Sequence, residues 1–253
     1  MPQTEMTCHS PATEQAPDDA SRIALIGSPN GGKTSIFNQL TGLHAKTGNY
    51  PGVTVSRSEG VARIHDHTFA IEDLPGTYSL SPISPDEQVV VDVLDGRMDQ
   101  VSAPDALVVV ADATALRRSL LLLAEVLPRH LPTAVVVTMT DELRRRQGSL
   151  DVTALSQALG VPVVAVVANR GIGIGELRNL LTTWHDWDRP PLDPPSRSSE
   201  LAGWVDSVLD TAGYEDPDPD SRTERIDKVL LHPVWGTIVF FAVMFLCLLY
   251  TSD

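Results

Sequence analysis

Eight residues, Gly27-Ser-Pro-Asn-Gly-Gly-Lys-Thr34, restrict this chain more than any other stretch. They fit G-x-x-x-x-G-K-[ST], and the flanks suit it: the apolar run Arg22–Ile26 predicts a buried strand before the loop. Ser35-Ile-Phe-Asn-Gln-Leu40 predicts a helix after it, stopped by Gly42. A glycine-rich turn between strand and helix lets backbone N–H groups of Gly27, Asn30, Gly31, Gly32 and Ser35 close around phosphate oxygens, with the helix dipole adding to the attraction. Lys33 then reaches the terminal phosphates, and the Thr34 hydroxyl is a ligand for Mg2+.

The rest of the first 188 residues alternates strand and helix. Residues 43–58 carry Gly, Pro and Thr without periodicity and are expected to form a long loop. A strand pair is predicted at Val61–Ile64 and Thr68–Leu74, then a helix capped by Asp86 and running to Leu94. Strands at Ala106–Ala111, Thr133–Thr138 and Val163–Val167 interleave with helices at Ala115–Pro128, Leu150–Leu159 and Ile174–Trp184. Such alternation implies an α/β fold with a mostly parallel sheet and helices on both faces; with the P-loop in its first turn, the Ras-like P-loop GTPase arrangement is the expected one. Ligands then bind beyond the carboxyl ends of the strands, where the loops at Gly27, Asp73, Thr138 and Ala168 begin.

Those loops specify a ligand. Asp73-Leu-Pro-Gly76 ends a strand about forty residues after the P-loop, so Asp73 is placed to hold Mg2+ and Gly76 N–H to sense a γ-phosphate. Gly52, Val53 and Thr54 lie in the long loop, and Thr54 is expected to close over the metal and the γ-phosphate. Thr138-Met139-Thr-Asp141 presents a carboxylate that accepts from guanine N1–H and the 2-amino group, which adenine lacks. Thr138 stands where an Asn is usual in this motif, and its hydroxyl replaces only part of the amide, a deficit of about 1 kcal/mol per neutral hydrogen bond lost. Ala168-Asn169-Arg170 follows the last strand and is expected to contact guanine O6 through a backbone N–H. No Gln follows Gly76; Thr77 occupies that place, and no arginine finger is assignable in the loops. The Asn30 amide oxygen is a candidate ligand for a monovalent cation beside the phosphates, offsetting charge that a Gln or Arg would otherwise manage.

Together Gly27–Thr34, Gly48-Asn-Tyr-Pro-Gly-Val-Thr54, Asp73-Leu-Pro-Gly-Thr-Tyr-Ser-Leu80 and Leu230-Leu-His-Pro-Val234 resemble the ferrous-iron transporter B (FeoB) family over about residues 21–250. The chain departs from that pattern at Gly31, Tyr50 and Thr138, where Ser or Cys, Trp and Asn are commoner. The resemblance implies binding and slow hydrolysis of GTP to GDP with Mg2+, stimulated by K+ held by Asn30 and by carbonyls around Gly48 and Tyr50. It also implies Fe2+ as the transported ion, a permease portion of the same polypeptide in the bacterial cytoplasmic (inner) membrane, and this N-terminal part in the cytoplasm. A small cytoplasmic accessory protein and a homo-oligomer are further implied partners.

Outside the GTPase domain of residues 21–188, four expectations follow. Residues 1–20 are Pro-, Thr- and acid-rich and predict a disordered tail. Residues 189–199 form a Pro- and Ser-rich linker, and residues 198–231 a small all-α domain, with Ser221 and Glu224 as a capping box. Residues 233–250 contain an uncharged apolar run, Val234–Tyr250, expected to start a transmembrane helix. The net charge of −14, with only Lys33, Lys46 and Lys228 as lysines, excludes a nucleic-acid surface. A soluble-type regulatory GTPase unconnected with iron, and a nucleotide-binding module with negligible hydrolysis, share the same loops and stay open at this point.

Overall fold

A computed structural model describes residue 17 and residues 20–43, 45–190, 192–219 and 230–251. The rest of the tail and the Ser221–Glu224 capping box lie outside the described residues. Strand β1 (Ser21–Gly27) leads through the P-loop into helix α1 (Lys33–Thr41). Strands β2 (Ala45–Asn49), β3 (Ser56–Ile64) and β4 (His67–Asp73) follow, then α2 (Pro85–Leu94) and β5 (Ala106–Asp112). Helix α3 (Leu116–Val126), β6 (Thr133–Thr138), α4 (Thr140–Arg145), α5 (Val152–Leu159), β7 (Val163–Ala165) and α6 (Ile174–Thr182) complete the alternating part. Beyond it lie α7 (Ser198–Thr211) and α8 (Trp235–Thr251).

The seven strands form one sheet in the order β2-β3-β4-β1-β5-β6-β7. The β2–β3 and β3–β4 pairs are antiparallel and every other pair is parallel. This is the expected mostly parallel α/β sheet, and its central strands explain themselves. Leu107, Val108, Val109, Val110 and Ala111 are all buried because both faces of β5 are covered. Alternate residues feed two cores. Ala24, Ile26, Leu107, Val109, Val135 and Val137 pack with residues of α2, α3, α5 and α7, while Ile23, Leu25, Val108, Val110 and Val136 pack with Ile36 and Phe37 of α1 and Leu177 and Leu181 of α6.

Several boundaries differ from those read in the sequence. The long loop after α1 contains β2, whose residues pair with β3 from Ala45–Gly60 to Asn49–Ser56. Ser84, not Asp86, caps α2: its hydroxyl accepts from Glu87 N–H, and Pro85 occupies the first turn, where a missing N–H costs nothing. Helix α5 starts at Val152 because Asp151 accepts from Thr153 and Ala154 N–H.

The helical appendage is packed onto the sheet-bearing part. Val205, Val208 and Leu209 of α7 join the same core as α3 and α5, and the chain after α7 pairs with the loop after α4. There Glu215 N–H donates to Ser149 O at 3.0 Å, and Asp218 N–H to Arg146 O at 2.7 Å. Helix α8 begins after Pro233, runs 17 residues and exposes Phe240, Phe241, Phe245 and Leu246. Among the described residues no helix is long and apolar enough to cross a membrane.

Candidate functional site

The P-loop is held against the sheet by shape. A Cβ on Gly27 would stand 2.4 Å from the Val110 carbonyl oxygen, so only glycine lets β1 end so close to β5. Gly32 caps α1 with φ 90°, a left-handed conformation that side chains resist. Asn30 also has positive φ, 63°, and lies exposed in the loop. Buried Lys33 folds its ammonium back onto the carbonyl oxygens of Gly27 at 3.2 Å and Ser28 at 3.4 Å. Burial holds the Lys33 ammonium below its ordinary pKa, and the nearby Asp73 carboxylate opposes that shift.

Thr34 and Asp73 meet although they are thirty-nine residues apart: the Thr34 hydroxyl donates to Asp73 Oδ2 at 2.8 Å. Asp73 Oδ1 is buried without a hydrogen-bond partner, a costly condition for a carboxylate oxygen. Burial pushes the Asp73 carboxyl above its ordinary range, against the bond from Thr34 and the charge of Lys33. An unsatisfied carboxylate oxygen beside a hydroxyl is a hard-oxygen donor set that suits Mg2+. Lys33, Thr34, Thr54, Asp73 and Gly76 line one cavity of about 460 Å3, together with Asp86.

A second cavity of about 340 Å3 lies next to the P-loop, lined by Gly32, Ser35, Thr138, Met139, Asp141, Ala168 and Asn169 among others. Met139 adopts φ 56° and caps α4, which puts Asp141 in the first turn of that helix. Arg170, in the turn Ala168–Arg170, stands 3.7 Å from the Asp141 carboxylate as an exposed ion pair. Gln39 of α1 donates to Ala168 O at 3.0 Å and so ties this turn to the P-loop helix.

Most residues singled out in the sequence therefore fall into two adjoining cavities. Gly27, Asn30, Gly31, Gly48, Tyr50, Gly52, Val53 and Arg170 line neither. Gly48 is paired with Arg57 in the sheet, and the Tyr50 carbonyl already accepts from Val53 N–H at 3.3 Å. Gly52 and Val53 lie at the exposed tip of the turn that carries Thr54.

Thr77, which follows Gly76, is fully buried, bonds Ser79 through its hydroxyl and lines neither cavity. Sequence reasoning missed the part of Glu87, which is half-buried and accepts from Ile83 N–H at 2.8 Å. It also missed Arg57 and Glu72, a charged pair inside a sheet that nothing in the spacing of the chain marks. Among the described residues, no group of three His, Cys, Asp or Glu side chains is placed to hold a metal ion.

Comparison with known proteins agrees with this geometry. Residues 21–181 match the family model described as ferrous iron transport protein B. The chain is 43% identical over 160 residues to an Fe(2+) transporter FeoB of Leptospira biflexa, covering 63% of this chain and 23% of that one. It is 42% identical over 165 residues to an Fe(2+) transport protein A/Fe(2+) transporter FeoB fusion protein of Porphyromonas gingivalis, covering 65% of this chain and 19% of the relative. It thus spans about a fifth of the length of these two curated relatives. Among solved structures, the cytosolic domain of the T. maritima FeoB iron transporter in its GMPPNP form superposes with a TM-score of 0.68 at 27% identity, over 78% of this chain and all of that one.

Proposed function

This chain belongs to the ferrous iron transport protein B family, and from that premise we propose that it binds and slowly hydrolyses GTP as the nucleotide switch of an Fe2+ transporter. The observation that carries the reading is the Thr34–Asp73 bond beneath the P-loop, with a buried, unpartnered Asp73 oxygen beside it and both residues lining the cavity shared with Thr54 and Gly76.

In this reading the P-loop amides and the α1 dipole hold the phosphates, and Lys33 leaves the Gly27 and Ser28 carbonyls to meet them. Thr34 and Asp73 would hold Mg2+, with Thr54 lining the same cavity. The ion, when bound, neutralises charge that develops between the β- and γ-phosphates. Gly76 N–H contacts the γ-phosphate, and Asp141 reads the guanine edge. Buried Thr77 cannot orient water as a Gln would, which makes hydrolysis slow. Potassium, when bound, would be held by the exposed Asn30 amide together with carbonyls around Gly48 and Tyr50, and would offset charge beside the phosphates. Helix α8, apolar and exposed, is the membrane-proximal start of the permease portion, and the transporter sits in the bacterial inner membrane with the nucleotide site in the cytoplasm. Homo-oligomer formation and a small accessory protein belong to that whole transporter; the fusion in P. gingivalis is consistent with the latter.

The test is turnover of GTP with Mg2+ by the wild-type chain, by Lys33→Ala and by Thr34→Ala, in potassium and in sodium at equal ionic strength. Slow turnover in the wild type, lost with triphosphate binding in both variants, is expected. Nucleotide binding by Lys33→Ala at wild-type affinity would refute the site. Equal wild-type rates in the two salts would remove potassium from the reading, whereas stimulation that Asn30→Ala abolishes would retain it.

A further inference from the structure

The turn that carries Thr54 is fastened at its base and loose at its tip. Tyr50 N–H donates to Val55 O at 2.9 Å and closes the turn, and Val55 is buried. Gly52, Val53 and Thr54 are exposed. The Tyr50 ring is buried, 1% exposed, and its hydroxyl donates to Glu72 Oε1 at 2.9 Å. Glu72 is the residue before Asp73 on β4. One side-chain hydrogen bond therefore links the base of the Thr54 turn to the strand that ends in the metal-binding carboxylate.

That bond sits in a network that keeps it rigid. Arg57 of β3 donates to the same Glu72 oxygen at 2.8 Å and pairs with Glu59 at 3.1 Å; Arg22 of β1 reaches Glu59 at 3.2 Å. Glu59 and Glu72 stand directly opposite in the β3–β4 ladder, so the arginines offset a like-charge pair inside the sheet. A buried carboxylate is tolerated only when it is paired and hydrogen-bonded. Burial and the neighbouring Glu72 charge keep the Tyr50 phenol far above its ordinary pKa, so it stays protonated and donates.

We propose that Tyr50 is a positioning residue for the triphosphate state, its hydroxyl on Glu72 setting the Thr54 turn in register with Asp73 across the phosphate cavity. The proposal rests on the GTPase reading above and deepens it. A diphosphate makes no use of Thr54, because no γ-phosphate is there for the turn to close upon. Loss of the phenol–Glu72 bond thus loosens triphosphate binding selectively, and Tyr50→Phe removes only that hydroxyl while keeping the ring in the core.

The experiment compares full-chain wild type and Tyr50→Phe for affinity to GDP and to a non-hydrolysable GTP analogue, each titrated with Mg2+, alongside thermal melting. The expected result is that the preference for the triphosphate analogue over GDP falls about tenfold in Tyr50→Phe, the low end for a hydrogen bond to a charged acceptor, and that more Mg2+ is needed for half-saturation. An unchanged preference overturns the proposal. Equal loss for both nucleotides also overturns it, since a merely structural hydroxyl would act that way. Wild type that shows no Mg2+-dependent binding of the analogue overturns the GTPase reading itself, an outcome distinct from the other two.

Discussion

The Thr138 hydroxyl lies 2.7 Å from the carbonyl oxygen of Gly31 and 3.2 Å from that of Ala111, so the end of β6 is fastened to the P-loop through a single side chain. The position where the related motif carries an amide still does part of the amide's work. Thr138→Val keeps the shape and removes the bond, leaving a buried backbone acceptor to lose its partner. Affinity for GDP and for GTP analogues should fall together, by about fivefold. Unchanged GDP affinity, measured by displacement of a fluorescent nucleotide, would show that the contact leaves the P-loop unaffected.

Asp73 carries a cost in the nucleotide-free protein. Its pKa is raised, chiefly by burial, so the folded state binds that proton more tightly than the unfolded chain does. The folded state therefore loses stability as pH rises from the ordinary carboxylate range through the raised value, and at neutral pH the full penalty is present. Asp73→Asn should melt at a higher temperature than wild type at pH 7, and the gap should close on acidification toward pH ~3. The same variant should lose Mg2+-dependent nucleotide binding. A lower melting temperature for the nucleotide-free variant at pH 7 would contradict the burial argument.

Asp141 is held at the first turn of α4 by the left-handed Met139 before it. Asp141→Asn replaces an acceptor with an amide that donates. The variant should lose GTP and gain xanthosine triphosphate, which carries a carbonyl where guanine has its amino group. Competition between the two nucleotides for the variant decides the matter; a GTP preference like that of wild type would remove Asp141 from base reading.

Tyr214 ties the segment after α7 to the corner between β5 and α3, its hydroxyl donating to Ala113 O at 3.0 Å. Burial, then the charge of Asp216, pushes the phenol up to about 12 from 10.0. A raised folded value means the contribution is complete below pH 10 and lost as pH climbs toward 12. Fluorescence of Trp204, which packs against this core from α7, should report loosening over that interval in wild type. Tyr214→Phe should show a smaller change over the same range; an identical pH profile would assign the loosening to other groups.

The loops that line the two cavities were legible because each is a short run of consecutive residues whose chemistry is local. The α/β order was legible because β5 and β6 are unbroken Val-rich runs between amphipathic helices. What escaped has a common physical cause, the use of backbone or distant partners. Strand β2 exposes Lys46, Thr47, Gly48 and Asn49 and is a strand only through its main-chain bonds to β3, so no alternation marks it. Helix α4 has six residues, too few to show a period. Tyr50, Arg57 and Glu72 find one another only once the sheet has formed, and no spacing in the chain announces a charge that will be buried. The join between α7 and the body was hidden in the same way, since Val205 and Val208 signal an apolar face without naming what covers it.

That join also decides where a load on the polypeptide is felt. Asp218 and Arg146 are clasped by two bonds, Asp218 N–H to Arg146 O at 2.7 Å and Arg146 Nε to Asp218 O at 2.6 Å. Arg146 N–H in turn holds Glu142 O at 3.0 Å, next to Asp141. Tension arriving from the C-terminal side of residue 219 therefore strains this clasp first, and through it the short helix that faces the base cavity. The P-loop and the Thr54 turn lie further along the path, so traction reaches the cavity of Thr138 and Asp141 before that of Lys33 and Asp73.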